Sequence, residues 1–198
     1  MTCRIKFKTN KPLKRNRNHI WVIVLLISNW SYGQTYIKTN PISPLFSIVH
    51  VGVETQLHSK FSIEVDATQS LARSHNGKPL ELTLITTELR YYPKGIQKGW
   101  FFGTHVAGSY FFLQKYNYQN TNSVQKGYNY MLGGSIGYTF PLTKQWNLET
   151  YLGGGNIHSF YKGYDYETSN RYDLAKKWNK SGEWLPYRIG LNLVYRIR

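Results

Sequence analysis

From Gln34 onward, apolar and polar residues alternate with period two in one segment after another, and no segment carries the spacing of an amphipathic helix. In His50 to Leu57, one face holds Val51, Val53, Thr55 and Leu57, and the other holds His50, Gly52, Glu54 and Gln56. Phe61 to Thr68 sets Phe61, Ile63, Val65 and Ala67 against Ser62, Glu64, Asp66 and Thr68. Residues 85–91 set Ile85, Thr87, Leu89 and Tyr91 against Thr86, Glu88 and Arg90. The last segment sets Tyr187, Ile189, Leu191, Leu193 and Tyr195 against Arg188, Gly190, Asn192, Val194 and Arg196. Each predicted strand has one apolar face and one face of charges, amides and glycines.

Eight such runs follow one another: Tyr36 to Ile42, Ile48 to Leu57, Phe61 to Leu71, Glu81 to Tyr92, Trp100 to Tyr116, Gly127 to Phe140, Asn147 to Tyr161, and Trp184 to Arg198. Pro41 and Pro44 interrupt the first, and proline suits only strand edges and ends. Most runs reach the roughly 9 to 11 residues that a tilted transmembrane strand needs. Connections after the second, fourth and sixth runs (58–60, 93–99 and 141–146) have 3, 7 and 6 residues, and those after the first, third, fifth and seventh have about 5, 9, 10 and 22, the last being 162–183. Short turns at one end, long loops at the other and an even strand count make up the outer-membrane barrel pattern. The expected fold is all-β, an eight-stranded antiparallel up-and-down transmembrane β-barrel over residues 34–198, with the 162–183 loop outside the cell.

A soluble sandwich or lipocalin-like barrel shares the alternation but turns its apolar face inward. Three features decide against it. Charges on the polar face are matched in sign, with Glu54, Glu64, Asp66, Glu88 and Glu149 against Lys38, Arg90, Arg188 and Arg196. Large aromatics fall near strand ends on the apolar face, with Phe61, Tyr91, Phe102, Phe140 and Tyr195 toward the turns and Tyr110, Phe112, Tyr128, Tyr130 and Tyr187 toward the loops. Two belts of that kind fit membrane interfaces. The polar face is also rich in glycine (Gly52, Gly103, Gly133, Gly137, Gly153, Gly155 and Gly190), which leaves room for long charged side chains. An eight-stranded barrel is only wide enough for its own side chains to fill. The charges at Lys38, Glu54, Glu64, Asp66, Glu88, Arg90, Glu149, Arg188 and Arg196 are therefore expected to pair as a plugging lumen network.

Composition alters this picture mainly through charge. The chain of 198 residues has 25 Lys and Arg against 10 Asp and Glu, a formal +15. Read whole, that excess points to nucleic acid or an anionic surface. Its densest part, however, is Arg4, Lys6, Lys8, Lys11, Lys14, Arg15 and Arg17, followed at once by the apolar run Ile20 to Ile27 and small residues at Ser31 and Gly33. That order is a secretory signal peptide over 1–33, cleaved before Gln34; the competing reading is a basic arm with an uncleaved anchor. The apolar run falls short of the roughly 20 residues that span a bilayer as a helix. Export removes the densest basic run and the single cysteine, Cys3, so neither nucleic-acid binding nor a disulfide is expected.

With strands and turns placed, the chain resembles a family of small outer-membrane barrels of unknown function, similar in build to OmpA- and OmpX-type eight-stranded barrels. The matching residues are Lys38-Thr39-Asn40-Pro41, Gly52-Val53-Glu54, Glu88-Leu89-Arg90-Tyr91, Phe101-Phe102-Gly103-Thr104-His105 and Lys144-Gln145-Trp146-Asn147-Leu148-Glu149. The resemblance implies a barrel in the cell outer membrane and no assigned activity. It departs from many outer-membrane proteins in ending Tyr195-Arg196-Ile197-Arg198, where a terminal aromatic is usual.

Specific chemistry is sparse. His158-Ser159 invites comparison with lipid A-modifying barrel enzymes, but adjacent strand residues point to opposite faces and cannot readily act as base and nucleophile. His50, His58, His75 and His105 lack metal-ligand spacing, and Gly153-Gly154-Gly155 lacks the Lys-Ser/Thr of a phosphate loop. No catalytic, cofactor or metal residue is assigned. The outer loops carry aromatic and basic residues together: Tyr164, Tyr166, Tyr172 and Trp178 with Lys176 and Lys177, flanked by Tyr116, Tyr118, Tyr161, Trp184, Lys162, Arg171 and Lys180. Such a composition could dock lipopolysaccharide or another outer-membrane protein. The expectation is an architectural or interaction barrel, as an accessory subunit of a larger envelope complex; the alternatives are a lipid A-modifying enzyme and a narrow channel.

Overall fold

A computed structural model of the chain describes residues 33–73, 77–118, 120–172 and 178–197. The expected signal segment lies, apart from Gly33, outside the described residues, as do His75, Lys176 and Lys177. Eight strands follow in order: β1 (Thr35–Thr39), β2 (Ile48–His58), β3 (Phe61–Arg73), β4 (Pro79–Tyr91), β5 (Gly99–Leu113), β6 (Ser123–Pro141), β7 (Trp146–Asp165) and β8 (Asn179–Arg196). Each pairs antiparallel with the next, and β1 pairs with β8, so the sheet closes into an all-β, up-and-down barrel. The closing seam is short, joining residues 36–39 of β1 to residues 193–196 of β8.

The period-two pattern sets the wall. Outward positions such as Val51, Val65, Ile85, Leu89, Leu132 and Leu152 stay exposed, while Lys38, Glu54, Glu64, Glu88, Arg90 and Glu149 are enclosed. Ile189 is 81% exposed and Arg90 0%, the reverse of the usual water-soluble arrangement. Glycines on the inner face give the long inward side chains room. A Cβ at Gly103 would overlap the Glu88 carboxylate, and one at Gly137 would overlap the Phe101 ring.

Three differences from the sequence reading have local causes. β1 stops at Thr39 rather than Ile42. Pro41 cannot donate to the ladder, and the Asn40 Oδ1 accepts the N–H groups of Ile42 and Ser43 at 3.0 and 3.1 Å, turning the chain into a short 3-10 helix at Ser43–Phe46. The expected 162–183 loop is shorter, because β7 runs on to Asp165 and β8 begins at Asn179. Those extensions are polar, so hydrophobic periodicity does not mark them, although Lys126↔Lys162 and Phe160↔Lys180 are paired. Finally, the register of β7 with β8 shifts between Gly153 and Gly154, where Arg188 and Pro186 are the successive partners. The skipped residue, Tyr187, turns inward beside Arg188 and bonds His105, instead of joining the outer aromatic belt. Beyond this bulge the inward positions of β8 become Leu185, Glu183 and Ser181, which line the interior.

β6, β7 and β8 have 19, 20 and 18 residues, against 11 and 13 in β2 and β3. The wall is therefore taller on the side of the last strands.

Candidate functional site

The interior has three levels, counted from the short-turn end. The first is apolar: Tyr36, Tyr92, Ile96, Phe101 and Val194 pack together, with Tyr151 against them. Ile96 and Gln97 belong to the connection between β4 and β5, which folds back into the barrel mouth. Gln97 takes a left-handed conformation (φ 58°) between Gly95 (φ 96°) and Gly99 (φ 71°), at a cost of roughly 1–2 kcal/mol for a residue with a Cβ. In return its Nε2 donates to Glu54 Oε2 at 2.6 Å and to Tyr92 Oη at 3.2 Å. From the sequence alone this segment reads as an ordinary turn. The glycines flanking Ile96-Gln97 were the available signal.

The second level is ionic. The Lys38 Nζ on β1 lies 2.6 Å from carboxylate oxygens of Glu54 on β2, Glu64 on β3 and Glu149 on β7. Arg90 on β4 meets Glu88 through Nε at 2.7 Å, and Glu64 and Glu149 through Nη1 at 2.7 and 2.9 Å. Its guanidinium also stacks over Phe101, 4.3 Å from the ring centroid, which joins the ionic level to the apolar one. Arg188 Nη2 on β8 reaches Asp66 at 3.1 Å and Glu88 at 3.4 Å. Hydroxyls of Ser62 and Ser135 donate to Glu54 and Glu88. Each cation thus faces two or more carboxylates, as low-dielectric burial of charge demands.

Eight of the nine expected network residues meet here. The ninth, Arg196, does not: it is exposed at the turn-side rim, paired in register with Tyr36. It has the right strand parity, but its position at the end of β8 carries it past the enclosed part of the lumen. Two histidines that the sequence reading left scattered are also inward. His105 Nε2 is 2.7 Å from Tyr187 Oη and its Nδ1 is 3.6 Å from Glu88, while His50 Nε2 is 3.8 Å from Asp66. The sequence already places His50 on the polar face of its strand, and His105 shares the parity of Gly103 on β5, although neither is counted in the expected network. Oxygens of Glu54, Glu64 and Glu149 lie within 4.8 Å of one another, a geometry that could hold a metal ion. The Lys38 ammonium already stands against all three, in the position such an ion would take.

The third level, on the loop side, is a partly enclosed cavity of about 210 Å³ between β4 and β8. Ser159 lines it, whereas His158 stacks against Tyr130 on the outer wall, with ring centroids 4.9 Å apart. The two residues stand on opposite faces of β7.

Among the described residues, the loop residues expected to bind divide between places, with Tyr164 and Tyr166 sharing one outer recess and Tyr172 and Trp178 lying elsewhere. Tyr166 packs near Phe112, under the Lys78 ammonium at 4.6 Å from its ring centroid. Tyr164 borders the same outer recess as Phe112 and Val124. Trp178 meets Tyr128 edge-on at 5.6 Å and lies under Lys162 at 4.4 Å. Tyr172 folds over Gly163, to whose carbonyl its N–H donates at 3.2 Å. Lys78 over Tyr166, Lys162 over Trp178, Lys126 over Tyr110 and Lys180 over Phe160 form an outward-facing girdle of lysine–aromatic pairs, whereas Tyr172 lies on the inward side of Gly163, the partner of inward Gln125.

No curated protein sequence matches the chain. A family model, that of DUF3575, described as a protein of unknown function, matches residues 19–197, which include every strand and all of the lumen network. The chain therefore belongs to the DUF3575 family of proteins of unknown function.

Proposed function

We propose that this protein is an integral barrel of the cell outer membrane, exported by a cleaved signal peptide, with an architectural or interaction role as an accessory subunit of a larger envelope complex. The observation that carries this reading is the inverted distribution of polarity, in which isoleucine, leucine and valine cover the outside of the wall and ions fill the inside. Each outward aliphatic side chain left in water would forgo roughly 25 cal/mol per Å² of apolar surface. Lipid removes that penalty. Support also comes from exposed aromatics at both ends of the apolar band. Phe61, Tyr91, Trp100, Phe102, Phe140 and Trp146 stand toward the turns, and Tyr110, Tyr128, Tyr130 and Trp184 toward the loops.

The role is non-enzymatic in this reading, because His158 and Ser159 are separated by the wall. It is also non-conducting, because apolar and ionic levels succeed each other across the lumen. The lysine–aromatic girdle fits the phosphates and sugars of lipopolysaccharide or the surface of a neighbouring outer-membrane protein.

Two measurements test the proposal. Cell fractionation with unboiled gel migration should give a heat-modifiable band in the outer membrane, and planar bilayers holding the protein should show no steady ohmic pore. A soluble periplasmic band that does not shift on boiling would end the membrane reading; a large steady conductance would end the plugged one. Crosslinking in native outer membranes, with and without residues 167–177, should yield a partner that disappears with the shortened loop. Identical crosslinks in both strains would remove the loop from the interaction role.

A further inference from the structure

The loop-side cavity has a one-sided chemistry. Leu82, Phe111, Leu113, Ile157 and Leu185 provide an apolar wall, and Gln125, Asn129, Ser159, Ser181 and Glu183 a polar one. The amides and hydroxyls of the polar wall both donate and accept, and two of its buried amide oxygens are unpartnered. Gln125, only 5% exposed, has its Oε1 without a hydrogen-bond partner. Asn129 donates its Nδ2 to Ser109 Oγ at 3.0 Å, and its buried Oδ1 likewise has no partner. Buried acceptors of this kind are ordinarily satisfied, so two along one cavity leave a place for a donor. Glu183 adds a carboxylate. Among the described residues Lys115 is the one cation lining the cavity; like Glu183 it is exposed, and it lies 5.2 Å over the Tyr161 ring.

The level beneath strengthens the bias. Five carboxylates (Glu54, Glu64, Asp66, Glu88 and Glu149) share the lumen with three permanent cations, Lys38, Arg90 and Arg188. By formal count carboxylates outnumber the Lys and Arg cations there, and a low-dielectric wall carries that bias toward the cavity.

We propose that this cavity binds a small cationic amphiphile, an aryl or alkyl primary ammonium, whose apolar body lies against Leu82, Phe111 and Ile157 and whose ammonium donates to Gln125, Asn129 and Glu183. A primary ammonium has three donors and no acceptor, which matches this lining. A volume of about 210 Å³ is below the roughly 300 Å³ at the low end of drug-sized sites, so the ligand is compact. The site needs the closed barrel, not its membrane location, and goes beyond the architectural role.

The test is calorimetric titration of the full mature chain, folded in detergent micelles and shown to be heat-modifiable, with 2-phenylethylammonium and with 3-phenylpropionate, which has a similar apolar body and the opposite charge. Saturable binding of the ammonium is expected, with the anion at least about tenfold weaker, and Glu183→Gln should cost about tenfold in affinity, as the loss of a charged hydrogen bond does. Ile157→Trp, which fills the cavity, should abolish binding; Ser159→Phe serves if that variant does not fold. Equal affinities for the two ions, or no saturable binding by heat-modifiable protein, would overturn the proposal. Binding unchanged in the filled cavity would do the same.

Discussion

The two halves of the lumen are built from the same strands and the same alternation, yet one is packed and the other open. On the turn side, β1, β2, β3, β4, β7 and β8 each send a charged side chain to a common centre, and the β4–β5 connection closes the mouth with Tyr92, Ile96 and Gln97. On the loop side the cavity is lined from β4 to β8, and unpaired acceptors remain at Gln125 and Asn129. The difference shows that an inward polar face does not by itself make a plug. A plug forms where opposite charges arrive at one height around the ring and a connection folds in to exclude water.

The sharpest way to break the contrast is Lys38→Met, which leaves the carboxylates of Glu54, Glu64 and Glu149 facing one another with only Arg90 among them. Loss of one partner from a buried cluster should destabilise the barrel by about 3–5 kcal/mol, read as a lower urea midpoint of the heat-modifiable form in vesicles. A midpoint within error of wild type would mean that the turn-side lumen is hydrated like the loop side. Gln97→Ala probes the folded-in connection. It removes the donors to Glu54 and Tyr92 and should cost about 1–2 kcal/mol in the same assay. The smallest effect is expected on the open side: Leu82→Ala enlarges a cavity that already exists, so it should cost less than about 1 kcal/mol, below the usual range for a packed leucine. A loss as large as that for Gln97→Ala would show that the loop side is packed as tightly as the plug.

Much of this arrangement was legible from the residues. Strand order, turn and loop alternation and eight of the nine network positions followed from parity, because a side chain's face on a strand depends only on whether its position is odd or even. Three of the misplacements have separate local causes. Tyr187 failed because a bulge opposite Gly153-Gly154 shifts parity within β8; the local signal was Pro186, next to the skipped residue, since proline inside a strand marks a bulge or an edge. Arg196 failed because parity gives a face and not a height along the barrel. The loop beyond Tyr161 was drawn too long because its paired residues, Lys162 to Asp165, lack apolar partners to mark them.

The one-dimensional order of residues was enough to set which side chains lie inside and which outside, since that choice is local and repeats every second residue. Which of them touch was settled by closure. Lys38 and Glu149 are far apart in the chain and come within 2.6 Å only because β1 pairs with β8 and β8 with β7 at particular registers. A register displaced by one residue would turn a whole strand's charges toward the outside. Pairing around the complete ring, a property of no single segment, therefore determined where the ions meet and where the cavity was left.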